Sequence, residues 1–584
     1  LAKYGYIKLT VGKDGNLSRI SNLRQPEQNI LQNGNVIYVY RGSKSKKLYV
    51  GQTKHFIQRN DQHYSGNEEK FDVAQFDEVI VLYSSIFNGS ALDDVESQLI
   101  TYFMADNSKS KKQNVYIDSS EIINRTSGNS VNDYKDRDKV ATEVILPFWE
   151  NELYKFGWVR TPTLKEIRTS ELVKYSPIKE LTTQQMDILS EIIENPHKNF
   201  VINGDAGTGK TVLLTHLVAK LIKDRPNIRV AVVVQPNWEK TAELIFKVYG
   251  MNSSNVDVLT STKMIKANQS YDVTVIDESH KLSRRGNKQH PSFNKVYDID
   301  RFRDLNNHFE AIEMLTKQMV LMYDVLQAIR PANISRSTFE KLTKKFEKKY
   351  LTTQFRIQAP EGKSYTSEDY INGIKYLLYK DTNLLSKTNF NPNFNSDVFR
   401  DDTPDAYFGF FENKPLKNLF DWVEEDRNFH PEHVDRVLGG LVEDWKQSDG
   451  KDASITHWHE DDMSRRWNST QENWVNSEED DAEDQIGSVF GVQGIDLNKV
   501  GVLIGDDLEV LEDGTLFGNR DKFKNVNGKF SKEDFEAPDA QSEFTLFVLN
   551  IYYVLLTRGI DGIRIGFWRN HKFKDYLKKN LIVD

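Results

Sequence analysis

The apolar pattern changes character along the chain. Val36-Ile37-Tyr38-Val39-Tyr40 alternates apolar and aromatic positions, and after a basic turn Lys47-Leu48-Tyr49-Val50-Gly51 does so again. Two such runs across a short turn predict a β-hairpin. Gln52-Thr53-Lys54 then leads into a segment where Arg59 and His63 stand four apart, on one face if helical. Leu92-Asp93-Asp94-Val95-Glu96-Ser97-Gln98-Leu99 has the spacing of an amphipathic helix. From Phe200 onward, short apolar runs of strand character (200–202, 229–235, 271–276) are interleaved with helical patterns. In one of these, Val212, Leu213, Leu217, Val218, Leu221 and Ile222 recur at helical spacing. That alternation predicts an α/β core. Residues 1–33 read as a small β extension ending in a polar turn. Residues 121–180 read as a connector with some helix, polar around 124–138 and apolar near 145–149 and 153–159.

Composition narrows the class without naming it. A length of 584 residues suggests three to five domains. With 38% hydrophobic and 28% charged residues, the chain is an ordinary globular one. No apolar run approaches a membrane span, and no basic-then-apolar signal pattern opens the chain, so the cytoplasm is the expected location. The chain begins at Leu1 rather than Met, consistent with a short natural leader before it. The absence of cysteine excludes disulfides, thiolate nucleophiles and Cys-ligated metals. The net charge of −9 argues mildly against nucleic acid, but the charge is uneven. Lys44, Lys46, Lys47, Lys54 and Arg59 crowd one stretch and Lys109, Lys111 and Lys112 another, whereas 478–484 is acidic. Local sign decides phosphate contacts.

The most specific chemistry is in Gly204-Asp205-Ala206-Gly207-Thr208-Gly209-Lys210-Thr211, of the form G-x-x-x-x-G-K-T. A strand precedes it and a helix follows. Such a loop points backbone N–H groups and the positive end of a helix dipole at an anion. Gly204, Gly207 and Gly209 allow close backbone approach, Lys210 reaches the β- and γ-phosphates, and the Thr211 hydroxyl holds Mg²⁺. Downstream, Tyr271–Ile276 ends in Asp277-Glu278-Ser279-His280. Asp277 is placed to hold Mg²⁺ and Glu278 to polarise the attacking water.

Residues 35–118 resemble the GIY-YIG nuclease family. Tyr38 stands at the first motif's tyrosine, Tyr49-Val50-Gly51 at the second motif, and Arg59 at the family's arginine. Glu96 matches the metal-binding carboxylate and Asn114 the trailing asparagine, while His63 stands equally for a site residue and a surface one. Val36 replaces the glycine of the first motif, a change in backbone packing rather than chemistry. The resemblance implies single-metal phosphodiester hydrolysis. Glu96 would hold Mg²⁺ or Mn²⁺, Arg59 would pair with the phosphate, and Tyr38 and Tyr49 would orient or deprotonate the water.

Residues 181–570 resemble superfamily 1 helicases, and among them the DUF2075 class of bacterial DNA/RNA helicase-like proteins, related to UvrD and to the Schlafen ATPase region. The resemblance places Gln185 at the adenine-reading glutamine, and Asp324 with Gln327 in the sensor block. It places Arg356 in the block that supplies a γ-phosphate contact, Gln493-Gly494-Ile495-Asp496 in the ribose-contacting block, and Arg558 as an arginine finger. Ser488 and Phe490 depart from the family's Thr and His. Trp422, Trp445, Trp458, Trp467 and Trp474 mark an acidic segment that would stack bases or, with better odds, pack a core. Arg284, Arg285 and Lys288 are open between phosphate contacts and a solvated loop.

Together these features predict an α/β chain in which a small α+β GIY-YIG domain precedes two RecA-like phosphate-loop lobes. The expected boundaries are 1–33 for the extension, 34–120 for the nuclease, 121–180 for the connector, 181–335 for the first lobe and 336–584 for the second. A Trp-rich insertion is expected around 360–480, offering a surface for a protein partner or an oligomer. The expected function is an ATP-dependent translocase with an attached metal-dependent endonuclease, acting on DNA ahead of RNA in bacterial anti-phage defence. The alternatives are an ATP-gated nuclease switch and a DNA-repair nuclease–helicase. ATP and Mg²⁺, or Mn²⁺ at the nuclease, are the implied cofactors.

Overall fold

The computed structural model describes residues 3–18, 20–65, 76–108, 136–168, 170–176, 181–236, 238–248, 251, 254–286, 291–328, 332–353, 357–431, 433–446, 448–449, 452, 454–468, 474, 482–492, 497–524, 535–536 and 538–582. Two compact units are present. One comprises Leu1–Pro196, Thr211–Thr260 and Tyr271–Val275, the other His197–Lys210, Ser261–Ser270 and Ile276–Asp584. Among the described residues no helix is long and apolar enough to cross a membrane.

The first unit opens with an antiparallel sheet of β1 (Tyr4–Thr10), β2 (Val36–Arg41), β3 (Leu48–Thr53) and β4 (Glu78–Ser84), in the order β1-β4-β2-β3. Five consecutive residues of β2, Val36 to Tyr40, are buried, as a central strand covered on both faces must be. Helices Gln25–Asn33, Phe56–Tyr64 and Gly89–Ser108 belong to the same unit. Of the expected β extension only β1 is a strand, and it forms an edge of this sheet. Residues 25–33, read as part of a polar turn, are helical. Pro26 in the first turn and Leu31 buried at its far end explain that outcome.

The expected connector packs closely on this sheet and its helices. Lys3 pairs with Glu143 at 2.6 Å, Tyr4 meets Phe148 edge-on at 6.4 Å, and the Arg41 guanidinium donates to the Gly157 carbonyl at 2.9 Å. The Asp106 carboxylate accepts from the Arg160 and Thr161 amides, both at 2.8 Å. Its backbone runs through two π-helical segments, Ala141–Ile145 and Phe148–Leu153, on either side of Pro147.

The parallel strands follow: β5 (Phe200–Gly204), β6 (Val230–Val233), β7 (Val256–Leu259), β8 (Tyr271–Ile276), β9 (Thr316–Tyr323) and β10 (Glu347–Leu351). In the second unit β5 lies between β10 and β9, parallel to both. In the first unit β6 pairs parallel with β7. The continuous apolar runs read from sequence are these buried strands.

A further parallel sheet is built from β11 (Phe408–Phe411), β12 (Arg436–Gly439), β15 (Trp467–Asn468), β16 (Ile486–Gly487), β17 (Leu497–Ile504) and β20 (Gly559–Phe567), in the order β11-β20-β17-β12-β16-β15. Two hairpins accompany it, β13 (Trp458–Glu460) with β14 (Met463–Arg465), and β18 (Leu508–Val510) with β19 (Leu516–Gly518). Helix Ala540–Leu556 is buried almost throughout its second half. The segment 360–480 is therefore not an insertion: it supplies β11, β12 and β15 of the sheet itself. Its tryptophans belong to the core, with Trp458 fully buried and its ring 5.3 Å from Trp467 and 5.1 Å from Trp568. Trp445, Trp467 and Trp474 are buried as well, which removes them as an exposed stacking surface.

Candidate active sites

In the second unit the phosphate loop follows β5 and ends at Lys210, where helix Lys210–Asp224 begins. Gly207 and Gly209 sit at φ +82° and +80°, where a side chain would be strained, so both glycines are required by the turn itself. Lys210 is the first residue of the helix. Its Nζ donates to the loop's own carbonyls, Gly204 O at 2.6 Å and Asp205 O at 2.8 Å, and lies 3.8 Å from the Asp324 carboxylate.

Asp277 follows β8 and is buried. Burial, then the neighbouring Glu278 charge, pushes its carboxyl up to about 7, against the pull of Lys210. A buried carboxyl raised in this way, with an ammonium near it and a second carboxylate beside it, fits a hard divalent cation. Glu278 takes a left-handed backbone, φ +51°, which re-aims its side chain at the end of the strand. Its carboxylate lies 2.9 Å from His280 Nε2 and 3.7 Å from Lys281 Nζ. Burial opposes its charge, but Lys281 and then His280 outweigh it and hold the group well below the usual range. Glu278 is thus held as a carboxylate.

A polar chain runs on from the lysine. The buried Asp324 accepts from the Leu326 amide at 3.0 Å and from the Gln327 carboxamide at 2.6 Å. The Gln327 oxygen in turn accepts from the Arg558 guanidinium at 3.2 Å, and Arg558 is fully buried. Asn550 fixes the same segment by donating to the Val325 and Ala328 carbonyls at 3.3 and 3.1 Å, while accepting from Tyr379 at 2.7 Å. Asp324 was visible in sequence as the acid three residues before Gln327. Asn550 carried no such signal, because its role depends on helix 540–556 reaching this turn.

The residues of the GIY-YIG resemblance converge inside the first unit. Tyr38 Oη lies 2.9 Å from His63 Nε2 and accepts from Arg59 Nε at 3.4 Å. The Tyr38 and Tyr49 rings stack at 6.3 Å, and His63 meets Tyr49 edge-on at 5.2 Å. Burial raises the Tyr38 phenol well above its ordinary value, so it stays protonated beside His63. His63 is buried, which places it in the cluster rather than on the surface. Glu96 accepts from the Gln52 carboxamide at 3.0 Å, and the same group bonds Asp93. Burial pushes Glu96 up to about 7, with Gln52 opposing and Asp93 adding to the rise. This half-buried acid fits an oxygen-preferring divalent cation. Gln52 was not singled out in the sequence, although it directly follows the second motif. Gly51 faces Tyr38 across the strands, and a Cβ there would lie 2.4 Å from the tyrosine ring.

A model of the Schlafen group 3 DNA/RNA helicase domain matches residues 197–568, and one of the GIY-YIG catalytic domain matches residues 34–114. The chain belongs to the Schlafen group 3 helicase family. It is an enzyme that joins this helicase domain to a GIY-YIG nuclease domain. An uncharacterized protein of Saccharomyces cerevisiae is 25% identical over 399 residues, 63% of this chain and 81% of that protein. Among solved structures, the Pif1 helicase of Candida albicans is similar at 12% identity and a TM-score of 0.27, over 69% of this chain and 99% of that one. The helicase domain of Pyrococcus furiosus Hef is similar at 9% identity and a TM-score of 0.29, over 68% and 97%.

Within the helicase domain, Arg356 and Asp496 lie outside the described residues, as does Asn114 of the GIY-YIG domain. Upstream of the helicase match, Gln185 is buried in the first turn of helix Thr183–Glu194. There its carboxamide oxygen accepts from the Thr182 amide at 2.9 Å in a capping box. Thr211 stands in the first turn of helix Lys210–Asp224. Arg285 donates to the Leu305 carbonyl at 3.0 Å and covers the Tyr297 ring, so it braces a loop. Lys288 falls outside the described residues.

Proposed function

We propose that the chain is an ATP-driven nucleic-acid translocase whose attached endonuclease cuts DNA with the help of a divalent metal. The polar chain from Lys210 through Asp324 and Gln327 to Arg558 carries this reading. It supports a site in which the residue contacting the phosphates and a distant arginine respond to each other, the arrangement needed to convert hydrolysis into movement. Glu278, held ionised, is the base that would align and polarise the attacking water. Lys210 would exchange its two loop carbonyls for phosphate oxygens. A divalent cation held by Asp277, and another held by Glu96, would neutralise phosphate charge as it develops.

In the nuclease, Arg59 would bind the scissile phosphate and Tyr38 would orient the water. Tyr38 and His63 stand within hydrogen-bond reach of each other, and the pair would share the water's proton, which the raised phenol would not take alone. We place the activity in bacterial defence against invading DNA, on the ground that one chain combines cutting with a nucleotide-driven domain. A cleavage panel of single-strand, duplex, forked and RNA substrates, with and without ATP, tests the whole reading. Wild type should cut DNA in Mg²⁺ and displace a labelled strand only with ATP. Glu96→Ala should lose cutting and Lys210→Ala displacement. ATP-dependent cutting without displacement would instead make the helicase domain a switch.

A further inference from the structure

The geometry points to Lys375 as a positioning residue of the nucleotide site, acting through Asp205 of the phosphate loop; this rests on the nucleotide-binding reading above. Lys375 is the single charged residue among the buried positions of helix Ser367–Tyr379. Its ammonium pairs with the Asp205 carboxylate and donates to the Asn389 carbonyl. Asp205 is the hub of the loop. Its carbonyl accepts from Lys210 Nζ at 2.8 Å, from Thr208 Oγ1 at 2.8 Å and from the Thr208 amide at 3.3 Å. One residue therefore joins the lysine that meets phosphate to a second lysine some 165 positions away. A cavity of about 440 Å³ is lined there by Asn203, Gly204, Asp205, Thr208, Tyr350 and Lys375, together with other residues.

The chemistry gives that contact a purpose. A carboxylate in a loop built to hold a polyanion repels its ligand unless a cation neutralises it. A buried lysine is retained only where a carboxylate and further acceptors compensate it. Lys375 meets both needs at once, neutralising Asp205 and fixing the residue whose carbonyl orients Lys210. It need not touch the nucleotide. The helix that carries it is anchored one turn later, where Tyr379 bonds Asn550 beside the sensor segment. Lys375 thereby links the loop's charge state to the element that also steadies Gln327.

The test is binding of a fluorescent, non-hydrolysed ATP analogue to the full chain, with ATP hydrolysis measured alongside. Lys375→Met should weaken binding about tenfold and raise KM, with kcat within about twofold, because an uncompensated Asp205 faces the phosphates. Removing that charge too, in Lys375→Met with Asp205→Asn, should restore affinity to within about threefold of wild type. Unchanged affinity in Lys375→Met, or a folded double variant as weak as the single one, overturns the inference. If Lys375→Met fails to fold, Lys375→Gln, which keeps a donor for the Asn389 carbonyl but no charge for Asp205, takes its place with the same expected and overturning results. Lys210→Ala separates the two levels. Lost binding there with none lost in Lys375→Met removes only the role of Lys375, whereas wild type binding no better than Lys210→Ala removes the nucleotide site as well.

Discussion

The two sites are built on opposite plans. Tyr38, Tyr49, Gln52, Arg59, His63 and Glu96 come from one stretch of chain, on two paired strands and two helices. Lys210, Asp277, Asp324, Gln327 and Arg558 span most of the helicase match. The first set is hydrogen-bonded around Tyr38, whose phenol burial keeps protonated. In the second, Lys210 bonds its own loop's carbonyls, contacts that phosphate oxygens would replace on the proposed reading. A locally built site can be ready to act, whereas one assembled over long sequence separations is suited to change state.

The sharpest way to break that contrast is to disable each site alone. Glu96→Gln should lower cutting by about 10³-fold or more while ATP hydrolysis stays within about twofold. Lys210→Ala should abolish ATP hydrolysis and leave ATP-independent nicking intact. If Glu96→Gln also stopped hydrolysis, the two sites would not be separable. Arg558→Ala comes next. Loss of a residue acting late in hydrolysis should cut kcat about 10³-fold with KM changed only a few fold. A change confined to KM would make Arg558 a binding residue and end its part in the contact chain.

The same contrast decides how much could be read from sequence. Motif residues on adjacent strands, such as Tyr38 and Tyr49, announce themselves because the pleat brings them to one face. The phosphate loop is legible for a similar reason: Gly207 and Gly209 are demanded by local backbone geometry. Arg558 could be placed in a motif, but its hydrogen bond to Gln327 is a tertiary fact. Asn550, Lys375 and Gln52 act through folding partners that no periodicity reveals. The Trp-rich segment misled because aromatic density and acidic loops look like an appendage, yet strands as short as β11, β12 and β15 lie inside it. Helix Gln25–Asn33 escaped notice because a polar nine-residue helix has almost no apolar signature.

A smaller effect tests how tightly the local site is packed. Gly51→Ala places a methyl against the Tyr38 ring, and the ring has Phe56 and Tyr40 close on its other sides. Overpacking of this kind costs about 1–3 kcal/mol. Cutting should fall about tenfold or more as Tyr38 is displaced from His63, with ATP hydrolysis unchanged. Equal cutting by the variant would show that the Tyr38–His63 distance is not critical.

The smallest effect concerns a buried acid that belongs to neither site. Asp507 is fully buried and accepts from the Tyr552 hydroxyl; burial pushes it up to about 7, with that hydrogen bond opposing. An unfolded aspartate titrates near ~3.9. Between those values the folded chain binds the proton and the unfolded chain does not, so this contribution to stability is complete below about pH 4 and is lost as pH rises toward about 7. Asparagine does not titrate, so Asp507→Asn should show a shallower fall in melting temperature between about pH 5 and pH 7 than wild type. Some slope should persist, because Asp435 is also buried and pushed up to about 7. Identical slopes would mean that Asp507 is charged in the folded chain. A reduced slope with ATP hydrolysis and cutting both intact would show that burial alone raises a carboxyl here, so a raised carboxyl marks a site only where, as at Glu96 and Asp277, other functional groups stand beside it.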